Sequence, residues 1–516
     1  MFFQRHGPWA IGLSLILTLF LAAKAWADAD RRAMLEMPDG VRLETFIYLP
    51  DQQPSPVVLM RTPYRFPAQS EAYYDAFADE LTRRGYTFVM QNLRGRFGSE
   101  GVFDPFENAV EDGAATVRWI MAQPWSNGRI GTIGGSYNGY TALAAAAGAP
   151  EVQAVIADDP ALDLWAGRRG DAVGLLPVLW LYLLDHGRWP DEAEKERANN
   201  VRDPSQIDNS LLGRDDPYWD TYIAGRTGTS DKSLRADIDR ICAPVLVIKS
   251  KSEGWEDPVD LWKALRQSGC PEHRADHQLI VSAEDHTFHL NQFGKVETDV
   301  TARIIAWLDH WLRDGDLTDT APVLYRPDDA EPFRTADDWP IRGAETSFYL
   351  GRRFSLTGNA PLLAAPDAGM KVHALQIDPA KMSPCGDYPS QTYLTAPLER
   401  DILVAGPMRL DLFARATTPI AGFSAQVYDY DPDRAEPLEF VTFGVTHAEG
   451  LDASLPARLT LDMHSVSHRF KAGTRIALSI GGTACGYAEV DHPDATYEIL
   501  HGTNAPSRLI MEAVAE

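Results

Sequence analysis

The chain has 516 residues, 45% of them hydrophobic and 23% charged, an ordinary globular composition with length for about three domains. A net charge of −25 repels nucleic acid and anionic lipid, so neither is expected as a partner. The four cysteines, Cys242, Cys270, Cys385 and Cys485, form an even set whose spacing suits no zinc site.

The first 27 residues read as a secretory signal peptide. Arg5 supplies a small positive start, Ala10 to Ala23 an apolar core, and Ala25-Trp26-Ala27 a small-residue cleavage site. Removing them deletes Arg5 and Lys24 and no acid, taking the net charge from −25 to −27. The mature protein is therefore expected to be secreted or periplasmic, with no membrane attachment after cleavage. All four cysteines survive processing in an oxidising compartment, and the expected disulfides are Cys242–Cys270 and Cys385–Cys485.

Residues 33–50 read as a hairpin turning at Met37-Pro38-Asp39-Gly40. Short apolar runs then alternate with helical segments. Val57 to Met60, Thr87 to Met90, Arg129 to Ile133 and Val152 to Ala157 read as strands. Glu71 to Arg84 and Ala109 to Ala122 read as helices. After an interruption the pattern resumes with strands at Val245 to Ile248 and Gln278 to Val281 and a helix from Asp299 to Leu312. Strands apolar on both faces, alternating with helices, predict a parallel α/β sheet with right-handed crossovers. The interruption at 160–236 is charged and helix-prone around the apolar Leu175 to Leu184, and reads as a helical cap. Beyond 322, short alternating runs such as Phe423 to Tyr428 and Arg475 to Ile480, separated by Pro/Gly turns, predict an all-β jelly roll. The expected divisions are 28–159 and 237–321 for the core, 160–236 for the cap and 322–516 for the jelly roll. No repeat or low-complexity tract occurs.

Gly134-Gly135-Ser136-Tyr137-Asn138-Gly139 carries the chemistry. Lying between a buried strand and an alanine-rich helix, it reads as a serine on a tight turn at a helix N-terminus, where free N–H groups stabilise developing negative charge. Asn138 stands where G-x-S-x-G would place its last glycine. A serine hydroxyl needs a positioned base and an orienting acid, which in such sheets follow on loops after later strands in the order Ser, Asp, His. The strand at 245–248 leads into Ser252 to Asp257, and the strand at 278–281 into Ala283 to His286. Ser136, Asp257 and His286 are the expected catalytic residues. Glu253, Glu256 and Asp260 are rivals for Asp257, and His289 for His286. His273, His277 and His310 read as surface or helix residues. Asp429 to Asp433 starts like a calcium loop, but Arg434 and Phe440 occupy its sixth and twelfth positions, so it reads as a polar turn. His464 and His468 share a strand face and suggest no metal site. The constellation requires no metal or organic cofactor.

Five stretches resemble the cocaine-esterase-like CocE/NonD hydrolases and their relatives, the X-Pro dipeptidyl peptidases and α-amino-acid ester hydrolases. They are Arg61-Thr62-Pro63-Tyr64, Arg94 to Gly101, Gly135 to Gly139, Gly254-Trp255-Glu256-Asp257 and Trp307 to Leu312. The resemblance implies an α/β-hydrolase core, a triad of Ser136, Asp257 and His286, and an oxyanion hole made by the Tyr64 hydroxyl and the Tyr137 N–H. It also makes Trp255 and Asp260 candidate substrate contacts. Ser282 to Asp285 stands where the family has a G-P-W-like run. Only Asp260, beside Val259, matches the acid pair that binds an α-ammonium in the ester hydrolases, and Arg168 and Arg169 lie in the early cap. The expected activity is an exported serine hydrolase of small ester, amide or peptide substrates. The alternatives are an X-Pro dipeptidyl peptidase and a non-catalytic glycan-binding protein.

Overall fold

The computed structural model describes residues 31–515 except 65–69, 164–172, 200, 202, 225–232, 252–255, 329, 352–358, 370, 377–389, 419, 482–486 and 489–495. The expected signal segment, Arg168, Arg169, Glu253, Trp255, Cys385 and Cys485 therefore lie outside the described residues.

β1 (Arg31–Glu36) and β2 (Arg42–Tyr48) form the expected hairpin, and β2 pairs antiparallel with β4 (Thr87–Asn92). β3 (Ser55–Thr62), β5 (Ser126–Gly135) and β6 (Val152–Asp158) extend the sheet in parallel from β4. Beyond the two-residue β7 (Val173–Gly174) of the cap, β8 (Val245–Lys249) and β9 (Gln278–Val281) complete the run. Every residue of β3, β4, β8 and β9 is buried, which is why these segments lack alternation and read as apolar runs.

Helices cover both faces. α1 (Ser70–Arg83) closes at Gly85, as its sequence suggests, and α2 (Ala109–Met121) and α3 (Tyr137–Gly148) follow. α2 and α3 pack with β3, β5 and β6 in one core, whereas α1 and the final core helix at 299–313 build the other.

The cap contains α4 (Leu176–His186), α5 (Glu192–Asn199), α6 (Ile207–Leu212) and α7 (Pro217–Ala224). α8 (Pro258–Ser268) follows β8, α9 (Phe288–Gln292) follows β9, and α10 (Asp299–Arg313) starts with a reciprocal capping box between Thr298 and Thr301. The Cys242–Cys270 disulfide is present and ties the lead-in to β8 to the segment after α8. The Cys385–Cys485 pairing falls outside the described residues.

The core sheet runs past the expected boundary at 321. β10 (Val323–Tyr325) pairs parallel with β9, and β11 (Arg334–Ala336) turns back against it. Three-residue strands give too short a pattern for periodicity to detect. From 344 onward the described chain is entirely β, and the hairpin of Ile420–Tyr430 with Leu438–Glu449 sits at one end of its strand order. This domain has its own apolar core. It also touches the rest of the molecule near the strand ends, where Tyr487–Ala488 pairs with β7 and Glu439 pairs with Lys251.

Candidate active site

Ser136 leaves β5 and caps α3 with φ 57° and ψ −126°, a conformation that L residues other than glycine rarely adopt. Its neighbours permit it. A Cβ on Gly134 would stand 2.1 Å from the Asn138 carbonyl oxygen, so the turn closes only on glycine. Asn138 is tolerated because the close approach falls on Gly134. Ser136 N–H donates to the Asp158 carbonyl at 2.8 Å, fixing the elbow to the end of β6.

Tyr64 follows β3 on the adjacent loop. Its phenolic oxygen receives the Trp180 indole N–H at 2.8 Å and lies within hydrogen-bonding reach of the Ser136 side chain and the Tyr137 N–H. Burial pushes its pKa up to about 12 against these contacts, so the hydroxyl keeps its proton and can donate. The Tyr137 side chain faces elsewhere, accepting from Phe106 N–H at 2.7 Å and stacking on Trp180 at 5.0 Å. Arg96 explains the R-G-R motif. It donates to the Pro63 carbonyl at 3.1 Å and the Leu184 carbonyl at 2.8 Å, joining the tyrosine loop to the end of α4.

His286 and Thr287 follow β9. A Cβ on Gly135 would lie 3.0 Å from Thr287 Cγ2, so the histidine loop packs directly on the residue before Ser136. The His286 side chain is 41% exposed, while the rival His289 is fully buried with Nε2 3.5 Å from Glu284. Exposure and position favour His286 as the proton acceptor.

The acid contact differs from the expected one. His286 Nδ1 lies 3.5 Å from Asp159 Oδ2, one residue past β6. The Asp257 carboxylate is engaged elsewhere: Oδ1 accepts from Val259 N–H at 3.1 Å, capping α8, and Oδ2 accepts from Ser465 N–H at 2.7 Å. Asp257 Oδ2 thus faces the docked β domain. The strand-end rule that selected the 252–257 loop also covers Asp159, an acid directly after the mostly apolar β6 and before Pro160. Burial pushes Asp159 upward, but its bonds from His286 and Ser250 outweigh that and leave it below the ordinary carboxylate range. Burial and the charge of Asp159 raise its neighbour Asp158 to about 7.

The remaining candidates are structural. Asp260 is exposed in the first turn of α8. Glu256 is buried, accepts from Leu162 N–H at 2.9 Å and pairs with Arg235, which also holds Asp163 at 2.6 Å. Of the histidines expected on surfaces or helices, His277 is instead buried, its Nδ1 accepting from Val245 N–H at 3.2 Å, and burial pushes it down to about 4. His273 pairs with Asp276, and His310 contacts the Gly315 carbonyl. The Asp429 segment ends the long hairpin, with Asp429 held by Arg434 at 2.8 Å and lying 3.5 Å from His468.

The family profile for X-Pro dipeptidyl-peptidase (S15 family) matches residues 39–288, and that for the X-Pro dipeptidyl-peptidase C-terminal non-catalytic domain matches 316–514. Cocaine esterase of Rhodococcus sp. (strain MB1 Bresler) is 26% identical, the alignment covering 87% of this chain and 90% of that one. An aminopeptidase from a marine sediment Thaumarchaeota archaeon superposes with TM-score 0.79 at 20% identity, over 96% of this chain and 98% of that one. An α-amino acid ester hydrolase superposes with TM-score 0.77 at 19% identity, over 95% and 98%.

Proposed function

Since the chain belongs to the S15 family of serine hydrolases, within its CocE/NonD branch, we propose that it is an exported esterase acting on small acyl esters from Ser136. An enzyme of this family leaves no room for the glycan-binding alternative.

The observation that carries the reading is the convergence of the Ser136 side chain, the Tyr64 hydroxyl and the Tyr137 N–H at the head of α3. Ser136 Oγ attacks the substrate carbonyl carbon while His286 Nε2 takes the hydroxyl proton. The carbonyl electron pair moves onto oxygen, and that oxyanion accepts from Tyr64 and Tyr137, each donor typically being worth about 3 kcal/mol. The imidazolium returns the proton to the departing alcohol, leaving an acyl-enzyme that water cleaves by the same route. Chain order assigns the carboxylate behind the imidazole to Asp257, and contact assigns it to Asp159.

Ester substrates are favoured over X-Pro peptides by the charge around the cap junction. A dipeptidyl peptidase needs free carboxylates for the substrate ammonium, yet Asp163 and Glu256 are both paired with Arg235. Export rests on the N-terminal segment and agrees with the disulfide.

A fluorophosphonate probe tests the nucleophile: the parent is labelled, and Ser136→Ala abolishes both labelling and turnover of p-nitrophenyl acyl esters. Continued turnover by that variant removes the proposal. Faster cleavage of Gly-Pro or Ala-Pro amides than of acyl esters would replace the esterase with the peptidase.

A further inference from the structure

We infer that Arg96, on the loop after β4, is a positioning residue for the Tyr64 hydroxyl, locking the tyrosine loop to cap helix α4. The inference rests on the serine-hydrolase reading above, with Tyr64 as an oxyanion donor, and deepens it.

Three observations carry it. The first is how the backbone beside Tyr64 is held. Arg96 Nε donates to the Pro63 carbonyl at 3.1 Å, and Thr62 Oγ1 accepts from the Tyr64 N–H at 3.0 Å. Both groups belong to the single planar peptide unit between Pro63 and Tyr64. Gripping that unit at its oxygen and at its nitrogen fixes the plane from which the Tyr64 side chain springs. The Tyr74 hydroxyl donates to the carbonyl on the far side of Tyr64.

The second is the bridge to the cap. Arg96 Nη2 donates at 2.8 Å to the Leu184 carbonyl, in the last turn of α4, where carbonyls have no partner within the helix. α4 also carries Trp180, whose indole N–H reaches the Tyr64 hydroxyl. One helix therefore steadies Tyr64 twice, at the ring end directly and at the backbone end through Arg96. A guanidinium suits the task because its rigid fork presents two donors at once.

The third is charge. Arg96 is half-buried, lies 5.2 and 5.7 Å from the ring centroids of Phe97 and Phe103, and bonds to no carboxylate among the described residues. Asp185, the acid whose charge reaches it most, is paired with Arg214. At Tyr64 the Arg96 charge works against burial, which leaves the hydroxyl a stronger donor than burial alone would. The turn that presents Arg96 is itself constrained. A Cβ on Gly95 would stand 2.3 Å from the Phe103 nitrogen, and Phe97 has φ 51°, a strained value of the kind that gathers at functional sites.

The test measures kcat and KM on a p-nitrophenyl ester for Arg96→Met, Tyr64→Phe, their double variant and Ser136→Ala, with folding checked by circular dichroism. Arg96→Met keeps an apolar stem against Phe103 and loses both bonds and the charge. It is expected to lower kcat by about 10- to 100-fold with KM little changed. In the Tyr64→Phe background the same change is expected to cost less than about twofold, because the group through which Arg96 acts is gone. A purely structural role would cost the same factor in both backgrounds. Equal losses, or parental kcat in Arg96→Met, overturn the inference and leave the nucleophile in place. Activity in Ser136→Ala, or parental kcat in Tyr64→Phe, overturns the underlying reading instead.

Arg96→Lys decides the matter if Arg96→Met does not fold. The ammonium keeps the charge and the stem, yet it lacks the fork that spans both carbonyls. A loss of about 3- to 10-fold in kcat is expected, vanishing in the Tyr64→Phe background. An unchanged kcat, or a loss that persists without the Tyr64 hydroxyl, counts against Arg96.

Discussion

Trp180 of the cap donates its indole N–H to the phenolic oxygen of Tyr64 at 2.8 Å, so an element inserted after β6 orients the proposed oxyanion donor that follows β3. With an N–H filling one lone pair, the Tyr64 proton is directed away from the cap toward Ser136. Tyr64→Phe is expected to lower kcat by about 10²- to 10³-fold, as for other single oxyanion donors. Trp180→Phe keeps the ring packing and loses the bond, and is expected to cost about fivefold. In the Tyr64→Phe background the same change should cost nothing further. Steady-state kinetics on the four forms measure that coupling.

The contact between Gly135 and Thr287 ties the base to the elbow. Gly135→Ala places a methyl group 3.0 Å from Thr287 Cγ2, which forces the His286 loop outward. A displacement of this size at a reacting pair is expected to lower kcat by about 10²-fold. Thr287→Ser removes the offending methyl group and should restore most of the activity when combined with Gly135→Ala. Additive losses in the double variant would show that the loop is not the cause.

Local pattern made the strands, the elbow and the two downstream loops legible, because each lies at the end of an apolar run that is buried on both faces. The carboxylate beside His286 was not so accessible. Asp158-Asp159-Pro160 carries no motif of its own, and only the packed sheet brings position 159 beside position 286. Trp180 was hidden for another reason: Leu175 to Leu184 is apolar on all sides, so no residue in it announces a polar task. Asp257 was found by spacing, yet the bond from Ser465 depends on docking of a domain some 200 residues later, about which local sequence is silent.

The disulfide offers a prediction about stability rather than catalysis. Cys242 and Cys270 close a loop of sequence separation 28 around β8 and α8, the segment that carries Ser250 and Asp257. Loop-closure entropy puts the contribution of such a cross-link at about 3–4 kcal/mol. Cys242→Ser with Cys270→Ser is expected to lower the denaturant midpoint and to raise the m-value, because the unfolded chain without the bridge is more expanded. Protein that folds equally well with and without the bridge would remove any stabilising role for it.

Asp158 makes stability depend on pH in a direction opposite to that of most carboxylates. It is fully buried, its Oδ1 finds no hydrogen-bond partner among the described residues, and it faces Asp159, His286 and His289. With a pKa of about 7 in the folded protein, it holds a proton that the unfolded chain has already released at neutral pH. Between the ordinary aspartate range and pH 7 the native state therefore binds more protons than the unfolded state, and this group lowers stability as pH rises. Asp158→Asn mimics the protonated form. Its advantage over the parent in melting temperature should be larger near pH 8 than near pH 5, measured by calorimetry at the two pH values. Equal melting temperatures at pH 8 would mean that Asp158 ionises without cost and that its burial is compensated.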